Sequence, residues 1–364
     1  MKTVAFFPAH PAQVWMLQPL AKQVAEIANV KWVIRDKDCA IDIADSLGLD
    51  YVRISKAATG FVGNAVEFGM NILRCTRLKR QFGIDLWVTK YGCAHMAARL
   101  TRGRSLAYND DDADIVPLVA WTSYPFADMT LVTQFTRMGR FDKNAVRYAG
   151  CTELFYLHPN RFTPDESVIG ELGLKSGEPY AILRLSSLQA HHDKGIRGLS
   201  VDLLREVVRL TEGRARLFIT SERPLVPEFE HLRFPIPPDR MLHALAFAEF
   251  FLGDSQTMTS EAGVLGTPAF RINDFVGRIS YLDDLESYDL AFGFKPGEEA
   301  RLIIKLKEVL ALDNRPQVFQ QRRERFLAEK IDPVPWHAEV IRMVLEGKTL
   351  KDVRAWAKKE YGLC

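Results

Sequence analysis

The 364-residue sequence contains little that would staple it, anchor it or send it abroad. Its five cysteines (Cys39, Cys75, Cys93, Cys151 and Cys364) are odd in number and far apart. No pair stands at a metal-ligand or redox spacing, which fits reduced thiols and a cytoplasmic location. Charge of one sign is equally scarce: 48 Lys and Arg against 46 Asp and Glu leave a formal +2. That is too little field to track a phosphate backbone, so nucleic acid is not an expected partner. Long apolar runs are missing too. Val4 to Phe7 stops at Pro8, short of a signal-peptide core, and Ala244 to Leu252 is interrupted by Glu249. Neither approaches the ~20 apolar residues that span a bilayer, so no transmembrane segment is expected. The first βα turn, Pro8 to Gln13, has no glycine, which disfavours a dinucleotide pyrophosphate there. Gly347-Lys348-Thr349 ends like a phosphate loop, but Arg342 stands where its first glycine belongs, and the spacing predicts a helix-to-helix turn.

What is present is the composition of an ordinary globular protein, 47% hydrophobic and 26% charged, long enough for two domains with well-buried cores. Short β-branched or aromatic runs alternate with amphipathic stretches of helical length, the pattern of βα units wound into a parallel sheet. Strands are expected at Val4–Phe7, Lys31–Arg35, Tyr51–Ile54, Leu86–Thr89, Ser105–Tyr108 and Met129–Thr133. A turn-rich passage, Leu157 to Asp165, then precedes a second series beginning with Tyr180–Leu185 and including Arg216–Thr220, Phe250–Leu252 and Ala269–Ile272. The expected architecture is α/β, with two doubly wound, Rossmann-like domains over 1–165 and 166–335, closing helices over 336–364, and function in the cleft between the carboxyl ends of the sheets.

The segment Phe250 to Asn273 reads as strand, hydroxyl-rich loop, helix, Gly-Thr-Pro turn and strand. Ser255, Thr257, Thr259 and Ser260 offer hydroxyls where free N–H groups and the positive end of a helix dipole face an anion. Glu261 has Met258 three residues before it, so a capping box does not explain its carboxylate, whereas a ligand's hydroxyl pair does. The alternative is a Glu that only complements the helix dipole.

Elsewhere, His10 at the end of the first strand is a candidate base or phosphate donor, with helix capping as the rival role. Arg184 lies in an apolar strand, where an unpaired charge is costly. It either emerges to meet an anion together with the neighbouring Ser186 or pairs with an internal carboxylate. His191, His192 and Asp193 follow in a loop suited to phosphate or sugar, and adjacent histidines do not suggest a metal. Asp110, Asp111, Asp112 and Asp114 crowd together beyond a strand end, which is expected to raise one pKa. Asp110 is the candidate base, against an Asp-rich helix start or a carboxylate metal site. Gly60 and Gly63 are expected to flank a loop. The basic, amphipathic Leu350–Lys359 is expected to pack on its own protein, with a membrane as the alternative.

The Phe250–Asn273 segment resembles the nucleotide-binding signature of GT-B proteins, including non-hydrolysing UDP-N-acetylglucosamine 2-epimerases and related glycosyltransferases. The resemblance implies that Glu261 binds ribose hydroxyls and that Ser255, Thr257, Thr259 and Ser260 line a diphosphate. Four segments are more similar still to the prokaryotic group catalogued as domain of unknown function 354: His10–Leu20, Tyr108–Asp114, Thr152–Asp165 and Asp254–Pro268. It implies a GT-B fold, a last helix crossing back onto the first domain, no cofactor or metal, and a nucleotide sugar with a glycan or lipid acceptor. The expected activity is inverting glycosyl transfer from a UDP-sugar. An epimerase, which carries an acid after the fourth strand where this chain has Thr89-Lys90-Tyr91-Gly92, and a non-catalytic nucleotide-sugar binder are the alternatives.

Overall fold

The computed structural model describes residues 1–186 and 198–363. The chain divides into one unit made of Met1–His158 with Lys330–Cys364, and a second made of Pro159–Glu329. The first break falls within the turn-rich passage, seven residues before the expected position, and the second falls six residues before.

The first unit is built on β1 (Thr3–Phe7), α1 (Pro11–Val24), β2 (Asn29–Asp36), α2 (Ala40–Ser46), β3 (Tyr51–Lys56), α3 (Gly60–Phe82), β4 (Ile84–Thr89), α4 (Gly92–Leu100), β5 (Arg104–Asn109), α5 (Pro117–Ser123), β6 (Met129–Thr133), β7 (Ala145–Tyr148) and the single turn α6 (Leu154–Leu157). Its strands pair in parallel in the order β3-β2-β1-β4-β5-β6-β7. β1 is buried along its whole length, as a central parallel strand covered on both faces must be. One face packs Val14, Leu17, Leu20 and Val24 of α1, and the other packs Cys75, Cys93, Ala94 and Ala97 of α3 and α4.

The second unit carries α7 (Ser167–Glu171), β8 (Tyr180–Leu185), α8 (Val201–Thr211), β9 (Arg216–Ser221), α9 (Met241–Phe247), β10 (Phe251–Gly253), α10 (Gln256–Leu265), β11 (Ala269–Ile272), α11 (Ser280–Ser287), β12 (Ala291–Phe294), α12 (Glu299–Leu310) and α13 (Arg315–Ala328). Its parallel order is β12-β11-β10-β8-β9. The chain then returns to the first unit through α14 (Pro333–Leu345) and α15 (Leu350–Tyr361). Thr349 and Asp352 form a capping box at the start of α15, so the Gly347 turn joins two helices as expected. The apolar side of α15 is covered: Val353 and Ala357 are buried, Trp356 packs on Trp336, and Arg354 donates to the Ala145 carbonyl. The helix packs on its own unit.

Three local expectations change. Two short edge strands, β7 and β12, lie outside the expected set. The Gly60–Gly63 stretch is the first turn of α3, not a loop; Gly60 enters it at φ +73°, a conformation that costs glycine little. α14 starts at Pro333, four residues before the expected His337, because proline is tolerated in a first helical turn.

Candidate functional site

In a doubly wound sheet, ligands bind beyond the carboxyl ends of the strands where the winding reverses. The first unit reverses between β1 and β4, and the second between β8 and β10.

At the first reversal, His10 caps α1. Its Nδ1 accepts the Ala12 N–H at 3.3 Å, which puts the proton of the neutral ring on Nε2. Gln13 braces the same turn, accepting from the Ala9 N–H at 2.9 Å and from the Tyr108 hydroxyl of β5 at 3.3 Å. Beyond β4 and β5 the four carboxylates are pulled apart instead of crowded. Lys90 reaches Asp111 at 2.6 Å and Asp110 at 3.3 Å. Asp112 is fully buried against Arg137 at 2.6 Å, and Asp114 points to solvent. Asp110 also accepts the Thr152 hydroxyl at 2.6 Å.

The expected rise in the pKa of Asp110 is therefore reversed. Burial pushes it up, but the Lys90 ammonium and the Thr152 hydroxyl outweigh burial and hold it below the usual carboxylate range. Lys90 answers in kind: burial favours loss of its proton, yet Asp111 and Asp110 together keep it charged. One strand away, Arg35 at the end of β2 grips Glu67 of α3 with two 2.7 Å hydrogen bonds. The Arg35 guanidinium also lies 5.4 Å from the Tyr91 ring centre.

At the second reversal, Ser255 caps α10 and its Oγ accepts the Met258 N–H. The Thr259 N–H goes to the Ser255 carbonyl, while those of Gln256 and Thr257 have no partner among the described residues. These open donors sit at the positive end of the helix. Thr257 is exposed and Glu261, one turn further on the same helix side, is half-buried. α10 begins at Gln256, so Glu261 lies in its second turn, beyond the position of a dipole-complementing first-turn acid. Thr259 and Ser260 are fully buried; the Thr259 hydroxyl donates to the Ser255 carbonyl at 2.6 Å, so neither residue presents a hydroxyl at the helix start.

Asp254, immediately before that cap, is the brace of the second reversal. Its carboxylate accepts the Ser186 N–H at 2.6 Å, the Ser186 hydroxyl and the Leu199 N–H, with Arg223 3.6 Å away. Burial raises its pKa, and the Ser186 bonds oppose the rise. A Cβ on Gly198 would fall 2.4 Å from Asp254 Oδ2, so only glycine admits this approach. Arg184 meets a carboxylate: it donates to the Thr220 hydroxyl at 2.8 Å and to Glu222. His191, with His192 and Asp193, lies outside the described residues.

Sequence reasoning missed Lys90, Thr152, Asp254 and Gly198. Lys90 and Asp254 carried a readable signal, each being the first residue past a strand beside the winding reversal. Gly198 carried none, since its need follows from a contact 56 positions away. Among the described residues no group of three or more His, Cys, Asp or Glu side chains is arranged to hold a metal, and no helix is long and apolar enough to cross a membrane.

No family model matches this sequence, and no curated protein matches it. Solved structures match over nearly the whole chain. A putative UDP-N-acetylglucosamine 2-epimerase from Listeria monocytogenes superposes with a TM-score of 0.69 at 11% identity, covering 96% of this chain and 98% of its own. The UDP-GlcNAc 2-epimerase from Neisseria meningitidis bound to UDP-GlcNAc gives 0.67 at 11%, covering 96% and 100%. MurG of Acinetobacter baumannii gives 0.59 at 14%, covering 94% and 99%. Likeness at these identities establishes architecture: the chain has the α/β, two-unit Rossmann-like fold that UDP-sugar epimerases and GT-B glycosyltransferases share.

Proposed function

We propose that this protein is a UDP-sugar-dependent enzyme that transfers the sugar, with inversion and without a metal, to a glycan or lipid acceptor. The observation that carries the reading is the start of α10. Two open N–H groups, the Ser255 cap, exposed Thr257 and Glu261 one turn on are the groups a nucleoside diphosphate needs. The diphosphate lies on the N–H groups of Gln256 and Thr257, and the Glu261 carboxylate accepts from the ribose hydroxyls. A structural neighbour from S. aureus was solved with UDP and the Neisseria protein with UDP-GlcNAc, which supports UDP as the nucleotide. Arg184 adds positive charge, shared with Glu222, and His191 contacts phosphate or sugar.

In the reaction the acceptor oxygen bonds to the anomeric carbon as the bond to the diphosphate breaks, and the acceptor's proton passes to a base. Asp110, which Lys90 and the Thr152 hydroxyl hold ionised, takes that proton as a weak base. His10, with its proton on Nε2, donates to the substrate. The helix start stabilises the departing diphosphate. On the four motif segments, and on five cysteines that are odd in number and far apart, we also place the chain in the prokaryotic group of domain of unknown function 354 and in the cytoplasm.

The epimerase reading has its own support in the Listeria and Neisseria neighbours. It requires a second acid–base group for proton exchange at a sugar carbon, and the Thr89-Lys90-Tyr91-Gly92 turn after β4 offers no acid to partner Asp110.

Calorimetric titration of UDP, with GDP and CMP as controls, into the wild type and Glu261→Ala tests the shared core. UDP binding weakened ~10-fold or more by the substitution, a loss of ~1.4 kcal/mol, is the expected result. Absence of nucleotide binding overturns both readings. Solvent deuterium entering a UDP-sugar replaces transfer by epimerisation, and release of UDP only with an acceptor present supports transfer. UDP binding without either supports a non-catalytic binder.

A further inference from the structure

α3 is the longest helix among the described residues, 23 residues and therefore about 34 Å. Its inner side is ordinary: Glu67, Asn71 and Cys75 are buried, and Phe68, Ile72, Leu78 and Phe82 pack toward the sheet. Its outer side is not. Val62 is 73% exposed, Val66 61%, Leu73 53% and Met70 44%, while Phe61, 82% exposed, stands apart at the helix start. Scattered surface hydrophobics need no explanation, but four along one helical side, Val62, Val66, Met70 and Leu73, do. α15 makes the contrast, for its apolar side is spent on Trp336 and β7.

We propose that the outer side of α3 docks on an anionic lipid bilayer. The charges select this occupant. The only acid in α3 is Glu67, which is buried and held by Arg35. Past Leu73 the exposed side continues into Arg77 and Arg80, which form no ion pair among the described residues. An apolar stretch running into unpaired cations is the pattern of a helix lying in the plane of a negatively charged membrane surface. A second copy of the chain fits less well. A two-fold pairing of α3 with itself sets Arg77 and Arg80 toward the other helix's start, where exposed Lys56 precedes it and no exposed acid of α3 answers. The proposal does not depend on the UDP-sugar reading.

The test is co-sedimentation of the full chain with vesicles of phosphatidylcholine containing phosphatidylglycerol, against phosphatidylcholine alone, together with its mass in solution. Binding to the anionic vesicles alone is expected, with Val66→Asp abolishing it. Arg77→Gln with Arg80→Gln is expected to weaken it about 30-fold, each cation near an anionic surface being worth roughly 5-fold. These positions are exposed, and unchanged thermal unfolding of the variants confirms that loss of binding is not loss of fold. No binding, or binding indifferent to lipid charge and to the two arginines, overturns the proposal. So does a dimer in solution that Val66→Asp dissociates, which assigns the face to a second copy.

Discussion

The two winding reversals occupy equivalent places in their sheets and differ in the balance of what holds them. The first is held by ion pairs between side chains: Lys90 with Asp110 and Asp111, Arg35 with Glu67, Arg137 with Asp112. The second is held mainly by main chain and hydroxyls: Asp254 on the N–H groups of Ser186 and Leu199, Ser255 on Met258, Thr259 on its own helix, with Arg223 beside Asp254 and Arg184 paired with Glu222 to one side. The difference separates two uses of the same fold position. Where charges satisfy one another, little is left over for an anion; where a helix start keeps two N–H groups open, a place for one remains. Fold gives the location, and the local balance of donors and acceptors decides what the location can do.

If that contrast is right, the first reversal breaks as stability and the second as binding. The largest effect is expected at Lys90. Replacing it by Met leaves Asp110 and Asp111 side by side without their cation, and breaking such a pair costs ~3–5 kcal/mol. Denaturant unfolding measures this, and a loss below ~1 kcal/mol would show that water already screens the cluster.

The Arg35–Glu67 pair sharpens the same side of the comparison through pH. Burial raises the Glu67 pKa, but Arg35, the Ala58 N–H and the Ser55 hydroxyl bring it down to about 2, against 4.5 for an ordinary glutamate. A carboxylate with a depressed folded pKa adds stability that is full above about 4.5 and disappears as pH falls toward 2. Melting temperature should therefore drop across that window, and Glu67→Gln should flatten the drop while lowering stability at neutral pH. An acid limb unchanged in the variant removes Glu67 from the account.

At the second reversal, Gly198→Ala forces a methyl to 2.4 Å from Asp254 Oδ2. Asp254 must move off the Ser186 and Leu199 N–H groups, at an expected cost of ~1–3 kcal/mol for unpaired buried donors. Unfolding measurements should show this cost with the helix start disturbed, so UDP affinity falls along with stability.

Much of the scaffold was legible from pattern alone, because parallel strands buried on both faces read as apolar runs. Val4–Phe7 and Tyr180–Leu185 lie within or match the observed β1 and β8. β7 and β12 were not legible: each is four residues long, and β12 is half polar in its surroundings, with Phe292 and Gly293 only partly buried. The hydroxyl-rich helix start was legible as a motif, yet which of its hydroxyls face outward was not. Thr259 and Ser260 turn inward because α10 packs on α9, β11 and α11, a matter of tertiary contact. The four aspartates looked like a crowd from spacing alone. Lys90 sits 20 residues before Asp110 in sequence, and only parallel pairing of β4 with β5 brings the two strand ends together.

The smallest expected effect is also the most discriminating. Ser255→Ala removes the cap from α10 and leaves the Met258 N–H without its acceptor, worth ~1 kcal/mol of stability. On a helix that only packs, the loss ends there. On a helix start that holds a diphosphate, the same hydroxyl also holds the first turn in place while Gln256 and Thr257 point their N–H groups outward. UDP affinity should then fall ~3–10-fold, and Ser255→Thr, which keeps the hydroxyl, should restore both quantities. Stability lost with UDP affinity intact would leave Ser255 as a cap alone and move the diphosphate away from this turn.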